Sequence, residues 1–365
     1  MHAPITPRTV GVPIVAIVLL AFVYGRDLAA WAVVLVAIAL IAAVLIAVHH
    51  AEVVAHRVGE PFGSLILAVA VTVIEVGLIL SITASGGPDT ASLARDTVFA
   101  AVMITCNGIV GICLLIGAVR HHVVSFHAEG SSGALAAVIT LATLCLVLPT
   151  FTTTSEGPTF SGPQLAFAAV VSVVLYGVYV FVQTVRHRDY FLPVEDGPDS
   201  PDDLDHDGHV DPPSARAALI SLGLLVVSLV AVVGLAKTIS PTIESGVAAI
   251  GAPVAVVGVA IALLVLLPET LAAARAASRD RLQTSFNLAY GSALASIGLT
   301  IPAIAVASIW FGGPLLLGLS GTEVVLLALT GLIGSLTVAR GTAIVLQGVI
   351  HLLIFASFLF IAVSP

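Results

Sequence analysis

Residues 61–84 read PFGSLILAVAVTVIEVGLILSITA, and a single ionisable side chain, Glu75, stands among them. A run of this length and apolarity matches a helix that crosses a bilayer, which takes about 20 residues. Its apolar positions do not alternate with period two, so it reads as a helix and not as a strand of a membrane barrel. Lipid offers no partner to backbone N–H and C=O groups, and helices and closed barrels are the only forms that satisfy them internally.

The same pattern recurs on both sides of this stretch. The chain has 365 residues, of which 59% are hydrophobic and 9% charged, and its mean hydropathy is +1.15. A soluble domain carries roughly 25% charged residues, so most of this surface faces something other than water. Eleven candidate spans follow, at about 9–25, 29–48, 61–84, 97–119, 132–150, 163–186, 215–236, 244–276, 285–311, 314–337 and 341–363. The expected fold is an all-α integral membrane bundle. The eighth span is too long for one straight helix and contains Pro268, which predicts a break there. Residues 10–24 have the length of a signal peptide, but only Arg8 flanks them and no small-residue cleavage site follows directly, so a retained first span is expected. Cys106, Cys113 and Cys145 all lie in apolar runs without metal-type spacing and read as small packing residues.

Arg and Lys placement orients the spans. With the N-terminus inside, Arg8, Arg57, Arg120, Arg186, Arg188, Arg216, Arg275, Arg279, Arg281 and Arg340 fall inside, against Arg26, Arg95 and Lys237 outside. The expectation is a cytoplasmic N-terminus and an outer C-terminus, in a bacterial inner membrane. Residues 189–213, DYFLPVEDGPDSPDDLDHDGHVDPP, differ in kind: they are rich in Asp and Pro, lack apolar periodicity, and read as a solvated cytoplasmic loop that supplies much of the net charge of −8.

That loop divides the spans into six and five, which suggests a repeat. The third span opens Gly59-Glu60-Pro61 and carries Glu75; the eighth opens Gly251-Ala252-Pro253 and carries Glu269. Each is followed by a span with a small polar patch, Thr105-Cys106-Asn107-Gly108 in one and Tyr290-Gly291-Ser292 in the other. The division expected is an extra helix in 1–28, a five-helix repeat in 29–188, the acidic loop in 189–213 and a second repeat in 214–365. Five is odd, so the copies must be inverted, an architecture of transporters whose sites lie near the midplane on interrupted helices.

An unpaired charged carboxylate in mid-span costs about 3 kcal/mol on insertion scales, so Glu75 needs a partner or a purpose. Glu75 reads either as a protonated side chain bonded to a neighbouring helix or as an ion or proton site. Pro268 has no N–H for the carbonyl about one turn back, near Leu264, and a carboxylate beside freed carbonyls is hard-oxygen chemistry of the kind calcium takes. The alternative for Glu269 is a side chain snorkelling to the cytoplasmic face. Asn107, Asn287, Ser292 and Ser296 read as helix-to-helix glue or as neutral ligands, and Asn107 and Ser292 hold equivalent places in the two repeats. Glu52, Glu60, Glu244 and Glu323 lie at span ends and read as interfacial. Asp203, Asp205, Asp207 and Asp211 follow the spacing of an EF-hand loop, but Ser214 replaces its final Glu, which leaves a regulatory calcium loop or a plain linker. Histidines 49, 50, 56, 121, 122, 127, 187, 206 and 209 crowd the inner side and raise the option of a pH sensor. His351, in mid-span 11, reads as a proton relay or a packing residue.

These stretches resemble the ChaA-type bacterial cation/proton antiporters of the calcium/cation antiporter superfamily. The resemblance is carried by HRVGEPFGSLIL at 56–67, IEVGLI at 74–79, MITCNGIVG at 103–111, LLPE at 266–269 and SFNLAYGSALASIGLTIP at 285–302. It implies inverted repeats with Glu75 and Glu269 as paired ion-binding carboxylates, and Asn107 and Ser292 at small-polar positions of the helices that follow. The superfamily's exchanger branch has an Asn-Ala-Thr-Glu-like motif where this chain has Val-Thr-Val-Ile-Glu75, so the amide is missing and the ion stays open.

The expected function is export of Ca2+ in exchange for H+ at the two glutamates, with Na+ or K+ exchange for H+ as the alternative. An intramembrane enzyme using the carboxylates as acid and base is a remote alternative, since no HExxH or Gly-x-Ser-x-Gly signature stands in a span. A channel is equally remote. The partners expected are the transported cation, protons and the lipid bilayer, with no resident cofactor and no nucleic acid; association into a homo-oligomer stays open.

Overall fold

The computed structural model describes residues 6–26, 28–59, 62–86, 91–194, 213–249, 251, 253, 255–310 and 315–364. Among them, twelve helices account for the expected spans: α1 Pro7–Val23, α2 Ala30–Val58, α3 Phe62–Gly86, α4 Leu93–His121, α5 Ala128–Phe151, α6 Gly162–Arg186, α7 Ala215–Ala249, α8 Ala255–Val265, α9 Leu267–Ala277, α10 Leu282–Ala307, α11 Gly321–Val338 and α12 Val345–Val363. Nine of the described helices are long and apolar enough to span alone, α8 and α9 make a tenth span bent by 53°, and α1 is a shorter apolar helix. The fold is all-α, as expected for an integral membrane protein.

The described loops that touch one another fall at two ends of the bundle. At one end, β1 (Val124–Ser125) pairs antiparallel with β2 (Thr342–Ala343), and His121 approaches Asp280 to 3.8 Å. These join the loops after α4, α9 and α11, the Arg-rich ones. At the other end, the segment before α11 crosses two loops: Leu316 N–H donates to the Ala91 carbonyl at 3.2 Å, and Leu317 and Gly318 N–H donate to that of Pro158 at 3.1 and 2.9 Å.

The seventh and eighth spans differ from their expected limits. The seventh does not stop at 236: α7 runs on through Lys237 and Pro241 to Ala249. A spanning helix tolerates a proline where neighbouring helices, hydroxyls or a local adjustment satisfy the carbonyl it frees, and Ile239 is buried in the core just before it. The chain turns instead beyond it, where Gly251 takes φ +65, a left-handed value that glycine adopts without strain. The eighth span begins at Ala255 and breaks at Leu266, two residues before Pro268, as the missing proline N–H predicts.

Two apolar cores divide the interior. One gathers α1, α2, α3, α7 and one face of α8 (Val257, Ile261 and Val265); the other gathers α4, α5, α6, α10, α11 and α12, with residues from another face of α8 and from α9 reaching into it. Helix α4 is the most enclosed, with 83% of its apolar window buried, against 22% for α6 and α12, which face outward. Among the described residues, four helices leave α-geometry for a π-turn: α4 at Ile104–Ile109, α5 at Thr143–Val147 and α10 at Ser296–Thr300 in their interior, and α6 at its end, Val182–Arg186. A π-turn inserts a residue and shifts the face that follows, a feature frequent at functional sites.

Candidate cation-binding site

The seam between the two cores holds Glu75. On α3 the side chain is 3% exposed, and three interior residues on its own face, Val71, Leu78 and Ile82, keep that face turned inward. Its partners come from the π-turn of α10. Ser296 Oγ donates to Glu75 at 2.8 Å from Oε1, with Oε2 at 3.0 Å, and Thr300 Oγ1 donates to Oε2 at 3.1 Å. Ser296 and Thr300 are four residues apart, so one helix face presents both hydroxyls to one carboxylate.

Glu269 lies in the first turn of α9, just past the break in the eighth span. Its Oε2 is buried and has no hydrogen-bond partner, and it stands within electrostatic reach of both Glu75 and Glu52. This oxygen does not snorkel to the interface, and a buried carboxylate oxygen without a donor could take a proton or a cation. Between α3, α8 and α10 a small cavity is lined by Thr72, Glu75, Ala262, Leu266, Ser292 and Ser296. It could admit a dehydrated ion to Glu75 and hydroxyl oxygens.

The structure thus groups Glu75 with Ser292 in one cavity and sets Glu269 in reach of Glu75. It sends Asn107 elsewhere. That side chain, on the π-turn of α4, donates to Thr330 Oγ1 at 2.9 Å and bonds His351 Nδ1 at 3.1 Å. Asn287 is bound to Gln283 at 2.9 Å and to the Phe191 carbonyl at 2.6 Å, fixing the end of the segment after α6. Glu323 closes a capping box with Ser320 at the start of α11. Glu52 is exposed on α2, with His49, His56 and Arg275 in electrostatic reach. No group of three or more His, Cys, Asp or Glu side chains is gathered for a metal among the described residues. Asp203, Asp205, Asp207 and Asp211, Glu60 and the Glu244 side chain lie outside the described residues.

Sequence reading named Ser296 only among several polar residues and did not single out Thr300. Removing either donor, by Ser296→Ala or Thr300→Val, is expected to raise the cation concentration for half-maximal transport at least about tenfold, the effect of one buried hydrogen bond to a charged group. Initial rates over a cation series in vesicles check it.

A bundle of apolar, membrane-length helices with a buried carboxylate at a seam, met by hydroxyls from a π-turn, and a second carboxylate at a helix break is the architecture of an integral membrane protein. The family described as sodium/calcium exchanger protein matches residues 28–185 and 220–364, and the chain belongs to that family. Over 323 residues it is 49% identical to y4hA of Sinorhizobium fredii, whose name describes an ionic transporter, covering 88% of this chain and 86% of the relative. Over 352 residues it is 34% identical to the sodium-potassium/proton antiporter ChaA of Escherichia coli, covering 95% and 93%. Among solved structures it resembles native YfkE with a TM-score of 0.72 at 15% identity, over 98% of this chain and 99% of that one. It also resembles the H+/Ca2+ exchanger CAX with a TM-score of 0.70 at 15% identity, over 96% and 86%. At these identities the structural likeness speaks for the fold.

Proposed function

We propose that this protein is a proton-coupled cation antiporter of the bacterial inner membrane, with the N-terminus cytoplasmic, and that Glu75 and Glu269 hold cation and protons in turn. The observation that carries this reading is the buried Glu75 carboxylate held by Ser296 and Thr300, with the donorless oxygen of Glu269 in electrostatic reach.

Charge counting supplies the coupling. With both carboxylates ionised and no cation, the site carries two negative charges in a medium that penalises each by several kcal/mol. Such a site does not cross between inward- and outward-facing forms. One Ca2+ neutralises it, as do two protons, so only loaded forms interconvert and one load leaves as the other arrives. The two inverted five-helix repeats, 29–188 and 214–365, would supply the two-faced frame, with the π-turn of α4 the counterpart of that in α10.

Calcium is the ion whose charge equals that of the pair. A second reading, Na+ or K+ with one carboxylate kept protonated, also leaves the site neutral. It is favoured by the similarity to a sodium-potassium/proton antiporter and by the Asn107 amide facing His351. The test is proton movement in inside-out vesicles holding a preset pH gradient, on adding Ca2+, Na+ and K+ separately. Collapse by Ca2+ is the expected result, with half-saturation shifting to higher Ca2+ as pH falls, because protons compete for the same oxygens. Collapse by Na+ or K+ alone moves the cargo to the second reading. No collapse with any of the three overturns the antiport proposal.

A further inference from the structure

We propose that His351 is a positioning residue for transport, holding the π-turn of α4 through Asn107 and so fixing the wall of the cation site. This rests on the antiport reading. His351, Asn107 and Thr330 are each 0% exposed and Thr337 is 3% exposed, well inside the spans. They form one connected chain across three helices. Thr337 Oγ1 on α11 bonds His351 Nε2 at 3.1 Å; His351 Nδ1 on α12 bonds Asn107 Oδ1 at 3.1 Å. Asn107 Nδ2 donates to Thr330 Oγ1 at 2.9 Å, and Thr330 Oγ1 donates to the Leu326 carbonyl at 2.8 Å.

The partners fix the direction, and with it the tautomer. The Asn107 amide nitrogen is spent on Thr330, so its oxygen must accept, and His351 donates through Nδ1. Nε2 then accepts from the Thr337 hydroxyl. Every bond has one donor and one acceptor, and the chain ends on a backbone carbonyl. A fully satisfied polar chain in an apolar interior specifies one arrangement of the helices that carry it. Apolar packing could hold α12 against α4, but it would not set the register of a loosened turn.

The backbone contacts bring the chain into place. A Cβ at Gly111 would lie 2.9 Å from Leu352 Cγ and 3.1 Å from His351 Cβ, and one at Gly348 would lie 2.8 Å from the Leu115 nitrogen. Helices α4 and α12 therefore touch backbone to backbone beside the imidazole. On its other side, α4 faces the site: Ala101, three residues before the π-turn, lines the cavity with Glu75 and Ser292, and Cys106, in the π-turn, lies in electrostatic reach of Tyr290, two residues from Ser292. A shift of the π-turn is a shift of that wall.

The test compares His351→Gln with His351→Leu by cation-driven proton movement in vesicles, resolved into half-saturating concentration and maximal rate. A glutamine amide both donates and accepts, so it can rebuild the chain; leucine cannot. His351→Leu is expected to raise the half-saturating concentration about tenfold, the low end of what disturbing the groups behind an ion site costs, with a smaller change in maximal rate per protein. His351→Gln is expected to stay within about twofold of the parent, and Thr330→Val to move in the same direction as leucine. Should His351→Leu fail to reach the membrane, Thr330→Val alone decides. Half-saturation unchanged in both apolar variants overturns the proposal. Glutamine as impaired as leucine also overturns it, because the imidazole itself would then be required. Parent protein without exchange would defeat the antiport reading instead, and exchange surviving Glu75→Gln would defeat the assignment of the site to that carboxylate.

Discussion

Glu75→Gln should abolish cation-driven proton movement, lowering the initial rate at least about a hundredfold with the protein still present in the membrane. Glutamine keeps the volume and can still accept from Ser296 or Thr300, so the helices have little reason to move. What disappears is the charge. Removing one member of a buried charged pair costs about 3 kcal/mol, which is about a hundredfold in affinity, and the variant also loses the proton that must leave when the cation arrives. Glu269→Gln should behave alike, although its carboxylate has no hydroxyl partner in the structure. Glu75→Asp should be intermediate, since a shorter side chain keeps the charge but withdraws it from the α10 hydroxyls. Vesicle assays normalised to protein content check all three. Full exchange in Glu75→Gln would mean that the carboxylate is a buried packing residue and no site at all.

Gly258→Val should destabilise the folded protein by about 2 kcal/mol or more, the cost of overpacking an interior, and depress transport with it. A Cβ at Gly258 would meet the Thr97 nitrogen at 2.9 Å and the Asp96 carbonyl carbon at 3.0 Å. Two of the obstacles are backbone, so no rotamer change relieves them. The strain falls on α8, which supplies Ala262, Val265 and Leu266 to the cavity wall. Gly133 is the control: nothing lies within 4 Å of its Cβ position, and Gly133→Ala should leave thermal stability in detergent unchanged or improved. Thermal unfolding of the two purified variants against the parent measures both effects.

Much of this architecture was legible because lipid simplifies the reading. A run such as 61–84 has one stable form in a bilayer, so composition alone gave the spans. Pro268 marked the break in the eighth span by a local rule, the lost backbone donor. Limits between α7 and α8 were misplaced because Lys237 and Pro241 carry the marks of a span end, while the packing that keeps the helix going comes from distant residues such as those of α1 and α2. Glu75 and Glu269 stood out because ionisable groups in such runs are rare and costly. Their partners did not. Hydroxyls are cheap in membrane helices, and nothing local tells Ser296 and Thr300, which face Glu75, from Thr105, which is bound to the Ala101 carbonyl at 2.7 Å. Asn107 was legible as polar and buried, but its partner lies 244 positions away, a distance that no periodicity reports.

The claim that cation and protons share one pair of carboxylates has a direct measurement: proton release on adding Ca2+, then Na+, to purified protein in weakly buffered detergent solution. Sharing predicts protons released in step with cation binding, more at lower pH where the carboxylates hold more of them, and no release from a Glu75→Gln, Glu269→Gln double variant. Cation binding that releases no protons, or release that survives in the double variant, would contradict it.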